Sequence, residues 1–306
     1  GRTGLKVSEI AFGGIPIMRV EEKKAIEIIR SIIGMGVNFI DTAHGYSDSE
    51  EKIGKAIKPL PREEIILSSK SPAGDGKTFN EHLDLSLQRL QVDYIDIYHL
   101  HNVSSKEKME QVFSPDGAFP ALLQAIEAGK VRYPAFSSHS LDVSIEMIKT
   151  DKFDVTQIPF NFVDNAAADE VLPLAHKYNM GFISMKPLGG GLLENANLCF
   201  KFLKQYDNIV PDPGIEKLEE MEEIIKIMED PIPLTDADKE EIERIKIEMG
   251  DKWCHRCEYC QPCPQDIAIH MVLNLRSTMK RMSDEKLKSF MGPFIDKARD
   301  CIECGE

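Results

Sequence analysis

From its start to about residue 228, the chain alternates short apolar runs with longer stretches whose apolar positions recur at helical spacing. The runs at Glu9–Phe12, Val37–Ile40, Ile65–Ser69, Tyr94–Leu100, Tyr133–Ser137, Val155–Pro159, Gly181–Lys186 and Asn208–Val210 read as strands. Helical periods fall at Val20–Gly34, Ser49–Lys58, Thr78–Leu90, Pro120–Ala128, Leu141–Lys149, Asp169–Tyr178, Asn197–Gln205 and Ile215–Met228. A helix after every strand makes the strands parallel, and eight such units close most naturally into a (β/α)8 TIM barrel. An open doubly wound sheet is the alternative. Its glycine-rich phosphate turn is absent, because Gly13-Gly14 is followed by Ile15-Pro16.

The pattern changes at Glu229-Asp230-Pro231-Ile232-Pro233, which divides the chain into a barrel at 1–230 and a second unit at 234–306. Thr235 reads as the N-cap of an amphipathic helix running to about Gly250, and a further helical stretch runs from Gln265 to about Arg281. Cysteine usage marks the same division. Cys199 lies alone in an apolar helical stretch and is expected to be buried, whereas six cysteines form two clusters: Cys254, Cys257, Cys260 and Cys263, then Cys301 and Cys304. Cysteines spaced this closely, with no secretory leader in view, read as metal thiolates in a reducing, cytoplasmic setting.

Charge narrows the partners. The 306 residues carry 37 bases and 51 acids, a net −14, and residues 216–248 alone contribute 13 acids and 5 bases. Nucleic acid and anionic membrane surfaces are poor partners for such a chain, and no apolar run reaches the roughly 18 residues of a membrane span. The chain opens on Gly1 rather than Met, so the natural protein is expected to begin earlier.

A barrel of this kind projects its functional side chains from the C-terminal ends of its strands. Read there, the second strand offers Asp41 and, just beyond, Tyr46. The third offers Lys70 and the fourth His101. This is a set for reducing a carbonyl, which needs a hydride and a proton delivered to the developing alkoxide. Tyr46 donates that proton if its pKa, ordinarily about 10, is drawn down, and an ammonium on Lys70 does so by favouring phenolate. Asp41 keeps Lys70 charged and in place, and His101 orients the carbonyl oxygen. His44 and His99 are expected to be packing or pocket wall.

These residues sit in longer patterns. Asp41-Thr42-Ala43-x-x-Tyr46 followed by Ser49-Glu50-Glu51-x-Ile53-Gly54, and Ser86-Leu87-x-Arg89-Leu90-x-x-Asp93-Tyr94-Ile95-Asp96 through His101, resemble the two signatures of the aldo-keto reductases. The resemblance covers roughly residues 1–228. It implies NAD(P)H-dependent reduction of an aldehyde or ketone by the tetrad Asp41, Tyr46, Lys70 and His101, with the dinucleotide lying across the barrel mouth without a Rossmann fold. It also implies that Ser137, Ser138 and Gln157 hold the carboxamide and that Met185 packs on the nicotinamide, where an aromatic is commoner. Lys186, Pro187 and Leu188 with Gly189, Gly190 and Gly191 would then lie beside the pyrophosphate, where small residues allow close backbone approach. Ala135 departs from the glycine usual in the family's fifth-strand motif.

At the adenosine end the resemblance places Gly214, Glu220 and Glu223 against the cofactor. Glu223 falls at the adenine-contacting acid, and Glu220 about where an arginine grips a 2′-phosphate. Acids there repel a phosphate and suit a ribose diol, so NADH is slightly favoured over NADPH. Lys217 keeps NADPH open, and a plain solvated acidic face is the other reading.

The run Cys254-x2-Cys257-x2-Cys260-x2-Cys263-Pro264 resembles the ferredoxin pattern for [4Fe–4S] clusters, with one residue fewer before the fourth cysteine. Cys301-x2-Cys304 resembles the start of a second run, so the unit reads as a mostly helical, cysteine-rich, ferredoxin-like appendage that continues past Glu306. A structural zinc is the rival. Two further function classes stay open: a Schiff-base lyase using Lys70 or Lys186, and a cofactor-sensing or electron-transfer subunit with its own electron partner.

Overall fold

In the computed structural model, residues 1–229, 232–250, 253–254, 263–279, 282, 284–302 and 304 are described. Eight parallel strands follow one another in sequence order: β1 Phe12–Gly13, β2 Phe39–Asp41, β3 Ile66–Ser71, β4 Ile95–Leu100, β5 Val131–Ser137, β6 Val155–Pro159, β7 Gly181–Met185 and β8 Ile209–Asp212. The ring closes between its first and last strands, where Ala11 N–H donates to Pro211 O at 2.9 Å and Gly13 N–H to Pro213 O at 2.9 Å. The barrel expectation holds, and the open sheet is excluded.

The outer layer consists of α1 Glu22–Gly34, α2 Ser49–Ile57, α3 Gly76–Leu90, α4 Lys106–Phe113, α5 Ala118–Glu127, α6 Leu141–Lys149, α7 Val171–Lys177, α8 Ala196–Leu203 and α9 Leu218–Glu229. Helix α4 has no counterpart in the sequence reading, because its single buried residue, Val112, gives almost no apolar period. The expected first strand, Glu9–Phe12, shrinks to two residues further along. Beyond the barrel lie α10 Asp236–Met249, α11 Ile269–Leu273, α12 Leu275–Met279 and α13 Asp284–Ala298. Thr235 caps α10 as expected: its Oγ1 accepts from Asp238 N–H at 3.1 Å, and Asp238 Oδ2 accepts from Thr235 N–H at 2.9 Å. No described helix is long and apolar enough to cross a membrane.

Two apolar cores share the strands. The larger fills the space between strands and helices. The smaller lies inside the barrel and gathers Ala11, Phe39, Ile66, Ile97, Ala135, Val155 and Ile183. Ala135, the departure from glycine, puts its methyl into this inner layer. Because side chains alternate along a strand, the position two residues past each of these also faces inward, one level nearer the mouth. Those positions are Gly13, Asp41, Ser68, His99, Ser137, Gln157 and Met185, with Lys70 and His101 one level higher again. A dry floor thus supports a polar mouth on the same strands.

Candidate active site

Lys70 and Asp41 form the centre of the mouth, and both are almost fully buried. Lys70 Nζ donates to Asp41 Oδ2 and to Thr42 O, the latter at 2.7 Å. Asp41 also accepts from Ser68 Oγ at 2.7 Å and from Gln157 Nε2 at 3.3 Å. Burial favours the neutral form of each partner, but their mutual attraction wins. Asp41 is held below the usual carboxylate value by Lys70, and Lys70 is held above the usual amine value by Asp41, Tyr46 and Asp212. The pair therefore stays charged.

Tyr46 stands over this pair, its ring centroid 5.6 Å from Lys70 Nζ and 6.0 Å from the His101 ring, which it meets edge-on. The loop carrying it is tightly tied. Tyr46 N–H donates to Ala43 O at 2.9 Å, His44 N–H to Lys70 O at 3.0 Å, and Ser49 Oγ to Gly14 O at 2.8 Å. Beneath it the buried Glu50 carboxylate accepts from Ser69 Oγ at 2.7 Å and from Arg89 at 3.4 Å. Signature residues that carry no chemistry thus hold the loop that does.

The tetrad opens into one cleft of about 800 Å³, a volume suited to a small-molecule or cofactor site. Asp41, Tyr46, Lys70 and His101 line it together with Ser137, Gln157, Met185, Lys186, Pro187, Leu188, Gly214, Glu220 and Glu223. Ser138 and Gly189 are not part of its wall. Ser138 is fully buried, with Oγ donating to Ser140 O at 3.2 Å, and Gly189 packs outward while Gly190 and Gly191 face the cleft. The Ser137 hydroxyl accepts from Asn102 N–H at 2.9 Å, so it also fixes the loop after His101. His44 is packing, stacked on His82 with ring centroids 3.8 Å apart. His99 is buried against Ser68 Oγ at 3.1 Å.

Where α9 walls the cleft, Glu220 turns back on its own helix start. Its Oε2 accepts from the N–H of Glu216 at 2.8 Å and of Lys217 at 3.0 Å, so the carboxylate occupies two donors that would otherwise face an anion. Arg19, which the sequence reading passes over, lines the cleft from the β1–α1 loop and pairs with Glu216 at 3.4 Å. Lys52 shapes that loop: its buried Nζ donates to Val20 O at 2.7 Å and to Ile17 O at 3.1 Å. Asp212, at the end of β8, is a second residue absent from that reading. It accepts from Gln157 Nε2 at 2.9 Å, and burial together with nearby Asp41 pushes its pKa well above the usual value. The alternation Val210-x-Asp212 marks it, but the predicted strand stops at Val210.

The cysteine expectation fares differently. Cys257 and Cys260 lie outside the described residues. Cys254 and Cys263 are half-buried, Cys301 and Cys304 are exposed, and Cys199 is buried as expected. Among the described residues no three His, Cys, Asp or Glu side chains gather as a metal site. The described part of the second unit is made of helices and connecting turns, and those residues do not compose a ferredoxin fold.

His99 and His101 are each pushed down from 6.5 to about 3, first by burial and then by the Lys70 charge. Both are neutral in the folded protein and gain protons on unfolding below about pH 6.5, so stability is complete above that value and declines as pH falls towards 3. Each histidine should contribute a loss of about 1.4 kcal/mol per pH unit in that window. Urea unfolding at about pH 7 and pH 5 checks this. His99→Gln should lose distinctly less stability between the two than the unmodified protein, and an equal loss would place the proton uptake elsewhere.

Comparison with known proteins gives this geometry a lineage. The pattern defining the aldo/keto reductase family matches residues 9–198. L-galactose dehydrogenase of Arabidopsis thaliana is 32% identical over 211 residues, 63% of this chain and 65% of that protein. The NADH-specific methylglyoxal reductase of Escherichia coli (strain K12) is 29% identical over 208 residues, 60% of this chain and 63% of that protein. Both matches span less than two thirds of the relative's length. The holo form of an aldo-keto reductase from Bacillus halodurans superposes with a TM-score of 0.68 at 23% identity, covering 79% of this chain and 93% of that one, which establishes the fold. The chain belongs to the aldo/keto reductase family.

Proposed function

We propose that this protein reduces an aldehyde or ketone to an alcohol with NAD(P)H, using Asp41, Tyr46, Lys70 and His101. The observation carrying this reading is a buried, ion-paired ammonium beside a phenol and a neutral imidazole in one cleft. The nicotinamide supplies the hydride when bound. Lys70, kept charged by Asp41, favours the phenolate that Tyr46 becomes once it has given its proton to the alkoxide. His101, being neutral, keeps an N–H to donate to the carbonyl oxygen and adds no competing charge. Around them Ser137 and Gln157 would hold the carboxamide, Met185 the ring face, and Lys186, Pro187, Leu188, Gly190 and Gly191 the pyrophosphate. A Schiff-base reaction at Lys70 is disfavoured, because it needs a free amine and this one is held as ammonium.

For the cofactor we propose a preference for NADH. Glu220 fills the paired backbone donors at the start of α9, and Glu216 engages Arg19, which leaves a 2′-phosphate facing carboxylates. The relative from Escherichia coli whose name records NADH specificity supports this direction. For residues 234–306 we propose a cysteine-rich unit, packed on the barrel, whose thiolates hold [4Fe–4S] clusters, in a reducing cytoplasmic setting and serving either as a structural tie or an electron partner's contact. The donor set is soft sulfur, which suits iron–sulfur or zinc, and the close spacing of the first run favours iron.

Tyr46→Phe should lower kcat for reduction across a panel of aldehydes by about 10²- to 10⁴-fold, while NADH affinity measured by calorimetry stays nearly unchanged. Retention of most of the activity would remove Tyr46 as the acid. The ratio of kcat/KM for NADH over NADPH should exceed one, and Glu220→Arg should shift it towards NADPH by about 1–3 kcal/mol. Equal or better use of NADPH by the unmodified protein would contradict this. Full-length protein purified without oxygen should contain iron and acid-labile sulfide in equal amounts. Stoichiometric zinc without sulfide would replace the clusters by a structural thiolate site.

A further inference from the structure

The loop between β7 and α8 walls the cleft with a backbone that has little reason to hold its shape by itself. Gly189, Gly190 and Gly191 have positive φ, from 57° to 88°, which glycine adopts freely but does not prefer, and Lys186, at 56°, adopts it without that freedom. Internal bonds from Gly189 N–H to Lys186 O and from Gly191 N–H to Leu188 O, each 2.8 Å, give it two turns. Asn161 Nδ2 ties Lys186 O to the barrel at 3.0 Å. The glycines themselves are held from the opposite side, by the chain beyond the barrel.

Trp253 lies flush on Gly189. A Cβ at that position would come within 2.5 Å of the indole Cη2 and 3.1 Å of Cζ3, so the contact exists only because residue 189 has no side chain. The indole packs against the edge of the main core, and its Nε1 finds no acceptor among the described residues, so packing alone holds the ring there. Ser277, buried in α12, donates to Gly190 O at 3.2 Å, and Met279 of the same helix lines the cleft. Three contacts from the cysteine-bearing part of the chain thus converge on one loop and its cleft. Cys254 comes directly after Trp253.

We infer that Trp253 is a positioning residue for cofactor binding: with Ser277 it clamps the 186–191 loop in the conformation that receives the dinucleotide. The inference rests on the proposed reading that this loop receives the pyrophosphate. A loop of consecutive glycines pays a large ordering entropy when it closes on a ligand, and a clamp that orders it beforehand raises affinity without touching the reacting atoms. The effect should therefore fall on binding of the cofactor's diphosphate portion and leave the chemical step unchanged.

Trp253 is the single tryptophan of the chain, so tryptophan emission reports on it alone. Binding of ADP-ribose, which carries the diphosphate and no nicotinamide, should alter that emission in the unmodified full chain. Trp253→Ala should weaken ADP-ribose and NADH by the same factor, about ten-fold, with kcat at saturating NADH nearly unchanged. Should the alanine variant fail to fold, Trp253→Leu, which keeps apolar bulk but lacks the reach to cover Gly189, is expected to show the same binding loss. Unchanged emission at saturating ADP-ribose, or unchanged affinity in the folded variant, overturns the inference. A protein that binds neither ligand refutes the proposed function instead. The clamp is then judged by amide hydrogen exchange at residues 189–191 without ligand, faster in the variant if Trp253 holds the loop and unaltered if it does not.

Discussion

The Lys70–Asp41 ion pair is the constraint around which the mouth of this barrel is organised. Two opposite charges sit almost wholly out of water, a placement that is costly unless geometry and further hydrogen bonds compensate. Here Thr42 O, Ser68 Oγ and Gln157 Nε2 complete the shell. Thr42 follows β2 and Ser68 lies on β3, the neighbouring strands that carry the pair, and Gln157 comes from β6 across the barrel, so the pair has its full shell only when the ring is closed and in register. In return it sets the electrostatics of its neighbours. Burial, reinforced by the Lys70 charge, keeps His99 and His101 neutral, and the pair places a fixed positive charge beside Tyr46. Asp212, buried and near Asp41, is pushed towards its protonated form rather than adding a second negative charge.

Stability and chemistry are separated by depth along the same strands. Phe39, Ile66, Ile97 and Val155 fill the floor, and the residues two and four positions later supply an acid, the amine, the imidazoles and the amide. The floor excludes water from beneath the charges, which strengthens each interaction above it. At the other end, Asp96 on β4 accepts from Arg62 and Arg132 at 2.7 and 2.6 Å, far from the cleft, in a role that is purely structural. The β1–α1 loop, held by the buried Lys52, and the first turn of α9 then bring Arg19 and Glu220 into the wall of the cleft.

Much of this is legible in the sequence, because a period of two along strands and of three to four along helices is a direct record of which side is dry. Tyr46, Lys70 and His101 emerge from asking what stands at strand ends, a rule that depends on topology alone. Asp212 escapes the same rule because β8 is only four residues long and Pro211 interrupts it, so its predicted end falls two residues early. Arg19 escapes because its position depends on Lys52, a residue thirty-three places later whose burial no local pattern announces. Glu220 lines the cleft, but its bonding is not legible, since a side chain capping its own helix looks in sequence like any acid on a solvated face. The contact of Trp253 with Gly189 is invisible for a simpler reason: it joins parts of the chain that share no periodicity.

The central claim is that the charge on Lys70 makes Tyr46 an unusually good proton donor. Its most direct test is a spectroscopic titration of phenolate, taken as the difference between the unmodified protein and Tyr46→Phe so that only one of the seven tyrosines is seen. The expected result is a single phenolate appearing clearly below the ordinary tyrosine value of about 10, returning towards it in Lys70→Met. A difference titration at or above about 10 in the unmodified protein, unmoved by the loss of Lys70, contradicts the claim.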